Sequence, residues 1–159
     1  MLRNLSAWLD VATAHAEARG FDPEILLSSR LVPDQWPLSR QIQASCDAAK
    51  FIAARLSDTS APEHPDDEST LDELRARIAS TCAYLEGFSA ADLEGAGELE
   101  LFLPFLQGGS VMAPDYLREF ALPNFYFHVT TAYAILRHNG VSLGKQAYIG
   151  SMNIKPPPG

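Results

Sequence analysis

The chain has two cysteines, four histidines and no uninterrupted apolar run approaching the roughly 20 residues that span a bilayer. Each scarcity excludes something. Cys46 and Cys82 cannot build the disulfide framework of a secreted mini-protein, and two lone thiols in 159 residues point to buried cysteines in a reducing, cytoplasmic compartment. Arg3, an apolar stretch and Ala14-His15-Ala16 imitate a secretory leader, but Asp10 interrupts the would-be apolar region. Leu2, Leu5, Leu9, Ala12 and Ala16 instead recur at helical spacing. Basic residues are also few: 12 against 20 acidic ones leave a formal charge of −8, which repels a phosphate backbone and an anionic bilayer alike. Neither nucleic acid nor membrane is an expected partner. No glycine-rich phosphate loop, nucleophile elbow or dinucleotide fingerprint is present, and Gly140-Val141-Ser142-Leu143-Gly144-Lys145 follows a helix instead of joining a strand to one.

What the sequence does contain is helical periodicity. With 47% hydrophobic and 20% charged residues it has the makeup of a folded domain, expected over residues 1–150 with a loose tail over 151–159. A first helix is predicted from Leu2 to Arg19, stopped by Gly20. Asp22-Pro23 reads as an N-cap followed by proline at the first position of a short helix. A second long helix starts around Pro37 and carries Leu38, Ile42, Cys46, Ala49 and Leu56 on one face, ending near Ser57. Pro62, Pro65 and the run Asp66-Asp67-Glu68 mark an extended, solvated connection long enough to cross a bundle. Thr70 and Glu73 then form a capping box ahead of a third helix that closes near Gly87.

Glu98-Leu99-Glu100-Leu101, Gly108-Gly109 and Ser110-Val111-Met112 have the pattern of a small β-hairpin before the last helix, with Pro104 confining its first strand. That last helix is predicted to start near Asp115 and to resume after Pro123, running to Asn139-Gly140 with Arg137 and His138 complementing its dipole. Its apolar residues lie on more than one face, as expected of a central helix packed on several sides. Four long helices with a long connection between the second and third describe an all-α four-helix bundle with a crossover.

Chemistry has few places to reside. None of His15, His64, His128 and His138 belongs to an H-E-x-x-H motif or an i, i+4 histidine pair. His128 and His138 are separated by about 15 Å along a continuous helix, too far for one metal ion. His128 is the best single candidate, because Asn124, His128 and Thr131 share a face of the last helix and a polar stripe there needs partners. Gln43 and Asp47, at i, i+4 on the second helix, are the facing partners expected for it. His15 and His64 read as surface residues, and Cys46 and Cys82 as core residues without any neighbour that would activate a thiolate.

The segment from Leu122-Pro123-Asn124-Phe125-Tyr126-Phe127-His128 through Arg137-His138-Asn139-Gly140 resembles a bacterial family of domains of unknown function, number nineteen-ninety-three in its series. Arg30-Leu31-Val32-Pro33-Asp34, Gln41-Ile42-Gln43, Asp47 and Gly144-Lys145 match its recurrent positions, so the resemblance covers essentially the whole chain. The resemblance implies membership of the DinB/YfiT-like metalloenzyme superfamily: a four-helix bundle in up-down-down-up order, often a homodimer. Metal-binding members of that superfamily take one histidine from the second helix and an H-x-x-x-H pair from the last. Here His128 matches the first member of that pair, Ala132 stands four residues on, and the second helix holds no histidine. The standard triad is therefore absent. Two functions follow as expectations: a noncatalytic or small-molecule-binding bundle with a degenerate metal site and no cofactor, or a divalent-metal-dependent hydrolase or transferase using zinc or nickel at a rearranged site around His128.

Because two thiols and no bridge are expected, reductant should leave the thermal melting temperature unchanged. A large drop on adding reductant would show that Cys46 and Cys82 are joined.

Overall fold

A computed structural model describes residues 1–152 and 155; the expected loose tail falls largely on the other C-terminal positions and lies outside the described residues. Helix α1 spans Leu2–Arg19 and ends at Gly20, whose φ of 71° is the left-handed conformation that a side chain would resist. A short 3-10 helix, Pro23–Ser28, follows, with the Asp22 carboxylate accepting from the Glu24 amide. Helix α2 spans Leu38–Leu56 and α3 spans Leu71–Glu86, the latter opened by the Thr70/Glu73 capping box. Strands β1 (Glu100–Phe102) and β2 (Ser110–Met112) pair antiparallel with Leu101 opposite Val111. The predicted hairpin is therefore present, in its predicted place before the last helix. Helix α4 (Ala113–Asp115), a π segment (Tyr116–Ala121) and α5 (Leu122–His138) then form one helical run, followed by the short α6 (Lys145–Ile149).

Pairs of side chains fix the direction of each helix. Arg3 meets Glu86 and Arg75 meets Asp10, so α1 and α3 run antiparallel. Gln41 meets His128 and Arg55 meets Tyr116, so α2 and α5 are antiparallel as well. Arg77 of α3 reaches Asp47, and farther along both helices Lys50 is linked through His64 to Ser80, which makes α2 and α3 parallel. Trp8 lies against Tyr133 and His15 against Gly140, so α1 and α5 are parallel too. The result is the up-down-down-up order of an all-α four-helix bundle.

The main core consists of Leu5, Trp8 and Leu9 of α1, Leu38 and Ile42 of α2, Leu74 and Ile78 of α3, and Val129, Ile135 and Leu136 of α5, all essentially buried. Each such side chain contributes about 1.5–3 kcal/mol by leaving water. Trp8 also donates its indole N–H to the Ala147 carbonyl at 2.9 Å and stacks on Tyr148, tying α6 to α1. A second cluster, Leu101, Leu103, Ala113, Tyr116 and Ala121, seats the hairpin against the end of α2. Cys46 is buried and burial pushes its thiol up to about 12, so it is a core residue and not a nucleophile; Cys46 and Cys82 are both free. Among the described residues no helix is long and apolar enough to cross a membrane.

Four expectations are corrected. The helix does not restart after Pro123 but passes through it, because the wider π turn immediately upstream makes room for a ring that would otherwise strike the preceding turn. Nor is α5 buried all round: Leu122, Tyr126 and Phe127 on its outer face are 39%, 46% and 55% exposed, since a helix at the corner of a four-helix ring has only its inward side covered. The Asp66-Asp67-Glu68 run is not simply solvated. Arg77, 3% exposed, pairs with Asp66 at 2.6 Å, Glu68 at 2.9 Å and Asp47 at 2.7 Å, and Arg40 pairs with Asp66 from the other side. His64, expected at the surface, lies 3.0 Å from the buried Lys50 ammonium, and burial lowers its pKa ahead of the nearby cation.

Removing the Arg77 charge would leave the half-buried Glu68 without a cation and take one of two cations from Asp47 and from Asp66, so Arg77→Met should destabilise the fold by about 1.5–3 kcal/mol. Burial works to raise the pKa of Asp66 and Glu68, but hydrogen bonds and charge from Arg77, joined by Arg40 at Asp66 and Gln43 at Glu68, outweigh it and hold both low. With folded pKa values below unfolded ones, their contribution is complete above about pH 4.5 and is lost as pH falls through the lower folded values. Denaturant melts between pH 3 and pH 7 should show that slope in the wild type and a flatter one in Arg77→Met.

Candidate functional site

Between α2 and α5 lies a cleft of about 290 Å³, close to the lower end of the range for small-molecule sites. Its α2 wall is the stripe Arg40, Ala44, Asp47, Ala48, Phe51 and Arg55, repeating every three or four residues. The antiparallel wall comes from Tyr116, Phe120, Asn124 and His128, with Trp36 and Phe105 closing over it. Ala44 and Ala48 leave the space, and the π segment supplies Tyr116 and Phe120, a placement common for π turns at binding sites. A larger groove of about 820 Å³ opens at one end of the bundle among residues such as Ile52, Leu56, Leu85 and Phe125, but it contains no buried polar group of the kind that would orient a ligand.

His128 is held in one orientation and one tautomer. Gln41, 1% exposed, donates its amide nitrogen to the Trp36 carbonyl at 3.2 Å, which turns its Oε1 toward His128. That oxygen can only accept, so His128 Nδ1, 2.8 Å away, must carry the proton. The Nε2 lone pair is left without a partner among the described residues, on a ring that lines the cleft. Trp36 stacks on the imidazole at 5.7 Å with 9° between planes and packs under the Arg40 guanidinium at 5.3 Å. Burial, then the Arg40 charge, lowers the His128 pKa, so at neutral pH the ring is an uncharged hydrogen-bond acceptor or base.

The residues singled out in the sequence fall into two groups. His128, Asn124 and Asp47 line the cleft together. Gln43 and Thr131 do not: Gln43 donates to Glu68 at 2.8 Å and accepts from Arg40, while the Thr131 hydroxyl bonds back to the Phe127 carbonyl at 2.7 Å. Asp47 is not the partner of His128 either, because its Oδ1 is taken by Arg77 at 2.7 Å and Lys50 at 2.9 Å. The partner is Gln41. A signal for it existed, since Gln41 stands inside the buried run Leu38, Ile42, Ser45, where an amide must find hydrogen bonds.

Zinc or nickel needs about three converging ligands, usually histidine, cysteine or carboxylate. His128 offers Nε2, but Ala132 occupies the position one turn on, the Gln41 oxygen is occupied, and Asp47 is held by two cations that would repel a third. No group of three His, Cys, Asp or Glu side chains able to hold a metal occurs among the described residues. The donor set around His128 does not fit such a centre.

The up-down-down-up bundle has the DinB-like architecture. The chain belongs to the domain-of-unknown-function family DUF1993, whose pattern matches residues 1–149. A crystal structure of a DinB family member protein from Shewanella denitrificans is similar over 99% of this chain and 89% of that one, at 50% identity and a TM-score of 0.95. Among curated proteins none matches.

The imidazole geometry is open to direct measurement. Ring nitrogen shifts of His128 should identify the Nδ1–H tautomer, and its titration midpoint should fall below the usual value of about 6.5. A lowered folded pKa means that stability is complete above the unfolded value and declines as pH falls toward the folded one. His128→Ala should cost about 1–3 kcal/mol by opening space and leaving the Gln41 oxygen unpaired.

Proposed function

We propose that the cleft beside His128 binds a small organic molecule, and that the chain works without the metal typical of its superfamily. The observation that carries this reading is the relay from the Trp36 carbonyl through Gln41 to His128, which fixes a neutral imidazole with its Nε2 lone pair available to a ligand. Such a nitrogen accepts from an O–H or N–H group, while Trp36, Phe51 and Phe120 cover an apolar body. Holding buried polar atoms in a single arrangement favours ligands that complete the pattern over those that leave it unpaired.

The same free Nε2 is what a metal ligand would present, and this favours a second reading: a divalent-metal-dependent hydrolase or transferase with a rearranged centre at His128. Fewer than three donors argue against it. Metal content decides between the two. On the first reading, purified protein holds zinc and nickel well below one per chain, and small phenols and amides shift the His128 ring nitrogen resonances. Stoichiometric metal that disappears in a folded His128→Ala variant would overturn it in favour of the second.

A further inference from the structure

The charges that line the cleft do not cancel evenly. Arg40 is matched by Asp66, and Asp47 by Arg77 and Lys50. Arg55 has no carboxylate within ion-pair distance among the described residues. Its guanidinium carbon lies 5.0 Å from the centre of the Phe51 ring and 5.4 Å from that of the Tyr116 ring, and Nη1 donates to the Tyr116 hydroxyl at 2.6 Å. That contact uses the phenol oxygen as acceptor, so the proton of Tyr116, a residue 2% exposed, is itself left without an acceptor among the described residues. The Tyr116 hydroxyl proton and the remaining Arg55 N–H groups thus have no acceptor among the described residues, the reverse of the His128 end, where an acceptor has no donor. Cation-π packing alone would account for the position of Arg55 but not for the unanswered hydroxyl proton beneath it. In a chain of net charge −8 the overall field disfavours anions, so any anion bound here must be held by local groups.

We propose that Arg55 and Tyr116 form a carboxylate-binding end of the cleft, so that its ligand is an elongated organic acid with an apolar, ring-bearing body. The inference rests on the cleft being a ligand site, as argued above. The planar guanidinium edge matches a carboxylate in fork geometry, and the Tyr116 hydroxyl adds a further donor. Phe51, Phe105 and Phe120 then cover the body, the last two stacked at 4.8 Å. The α2 stripe from Arg40 to Arg55 extends over about 22 Å at helical rise, so the ligand lies along the groove instead of sitting in a round pocket.

The test compares phenylacetate, phenylpropionate, phenylbutyrate and phenylhexanoate with their uncharged amides, on the wild type, Arg55→Gln and Arg55→Lys. Calorimetry gives affinity, and the methyl resonances of Ala44 and Ala48 report occupation of the cleft without involving Arg55. Acids of at least one chain length should move both methyls and bind about tenfold or more tightly than the matching amide. That preference should vanish in Arg55→Gln and persist in weakened form in Arg55→Lys. Equal binding of acid and amide to the wild type, or a preference that survives Arg55→Gln, would overturn the carboxylate site while leaving the cleft a ligand site. If no acid and no amide moves the methyls, the cleft reading itself falls and the inference with it.

Discussion

Arg77 ties together parts of the chain that would otherwise separate. From a buried position on α3 it meets Asp47 on α2 and Asp66 and Glu68 on the connection between the two helices. Two parallel neighbouring helices cannot be joined by a tight turn, so the chain must travel back along the bundle, and an extended segment does not bury enough apolar surface to hold itself there. The ionic cluster supplies the missing attachment, with Arg40 and Gln43 reinforcing it from α2. A buried ion pair brings little net stability over an apolar substitute, but it specifies which groups must meet. In this chain what it specifies is the parallel α2–α3 pair.

That anchoring divides α2 into sides with different tasks. Gln43 and the carboxylate of Asp47 are drawn toward α3 and the connection, while Gln41 turns toward α5 and the stripe from Arg40 to Arg55 lines the cleft. Asp47 thus borders the cleft without acting in it, since two cations already hold its oxygen. The polar order of the site comes from a different set: a carbonyl, an amide, an imidazole and, at the far end, a guanidinium with a phenol. Superfamily likeness accounts for the scaffold and its DUF1993 membership; the chemistry at His128 follows from the groups this chain places there.

The extent of each long helix was legible because capping and stop residues act within a few positions of themselves. Gly20 needed only its own backbone to end α1, and Thr70 with Glu73 satisfied each other's amides at the start of α3. His128 was legible as well, as a polar residue on a mostly apolar helix. Its partner was misjudged because spacing on α2 shows which residues share a face but not which helix that face meets. Asp66 and Glu68 were misread for a related reason, since a run of acids just after two prolines has the local features of a solvated loop until Arg77, 9 residues beyond Glu68, is buried beside it between α3 and α2.

The sequence by itself thus determined the number and approximate limits of the four long helices, the hairpin before the last of these, and the absence of a histidine triad, because all of these depend on residues close together in the chain. Only the tertiary structure decided that Gln41 and not Asp47 orients His128, that Pro123 is absorbed by a π turn, and that Arg55 faces the cleft without a carboxylate. Those outcomes depend on the direction and rotation of one helix against another, and many residue pairs distant in sequence set them together.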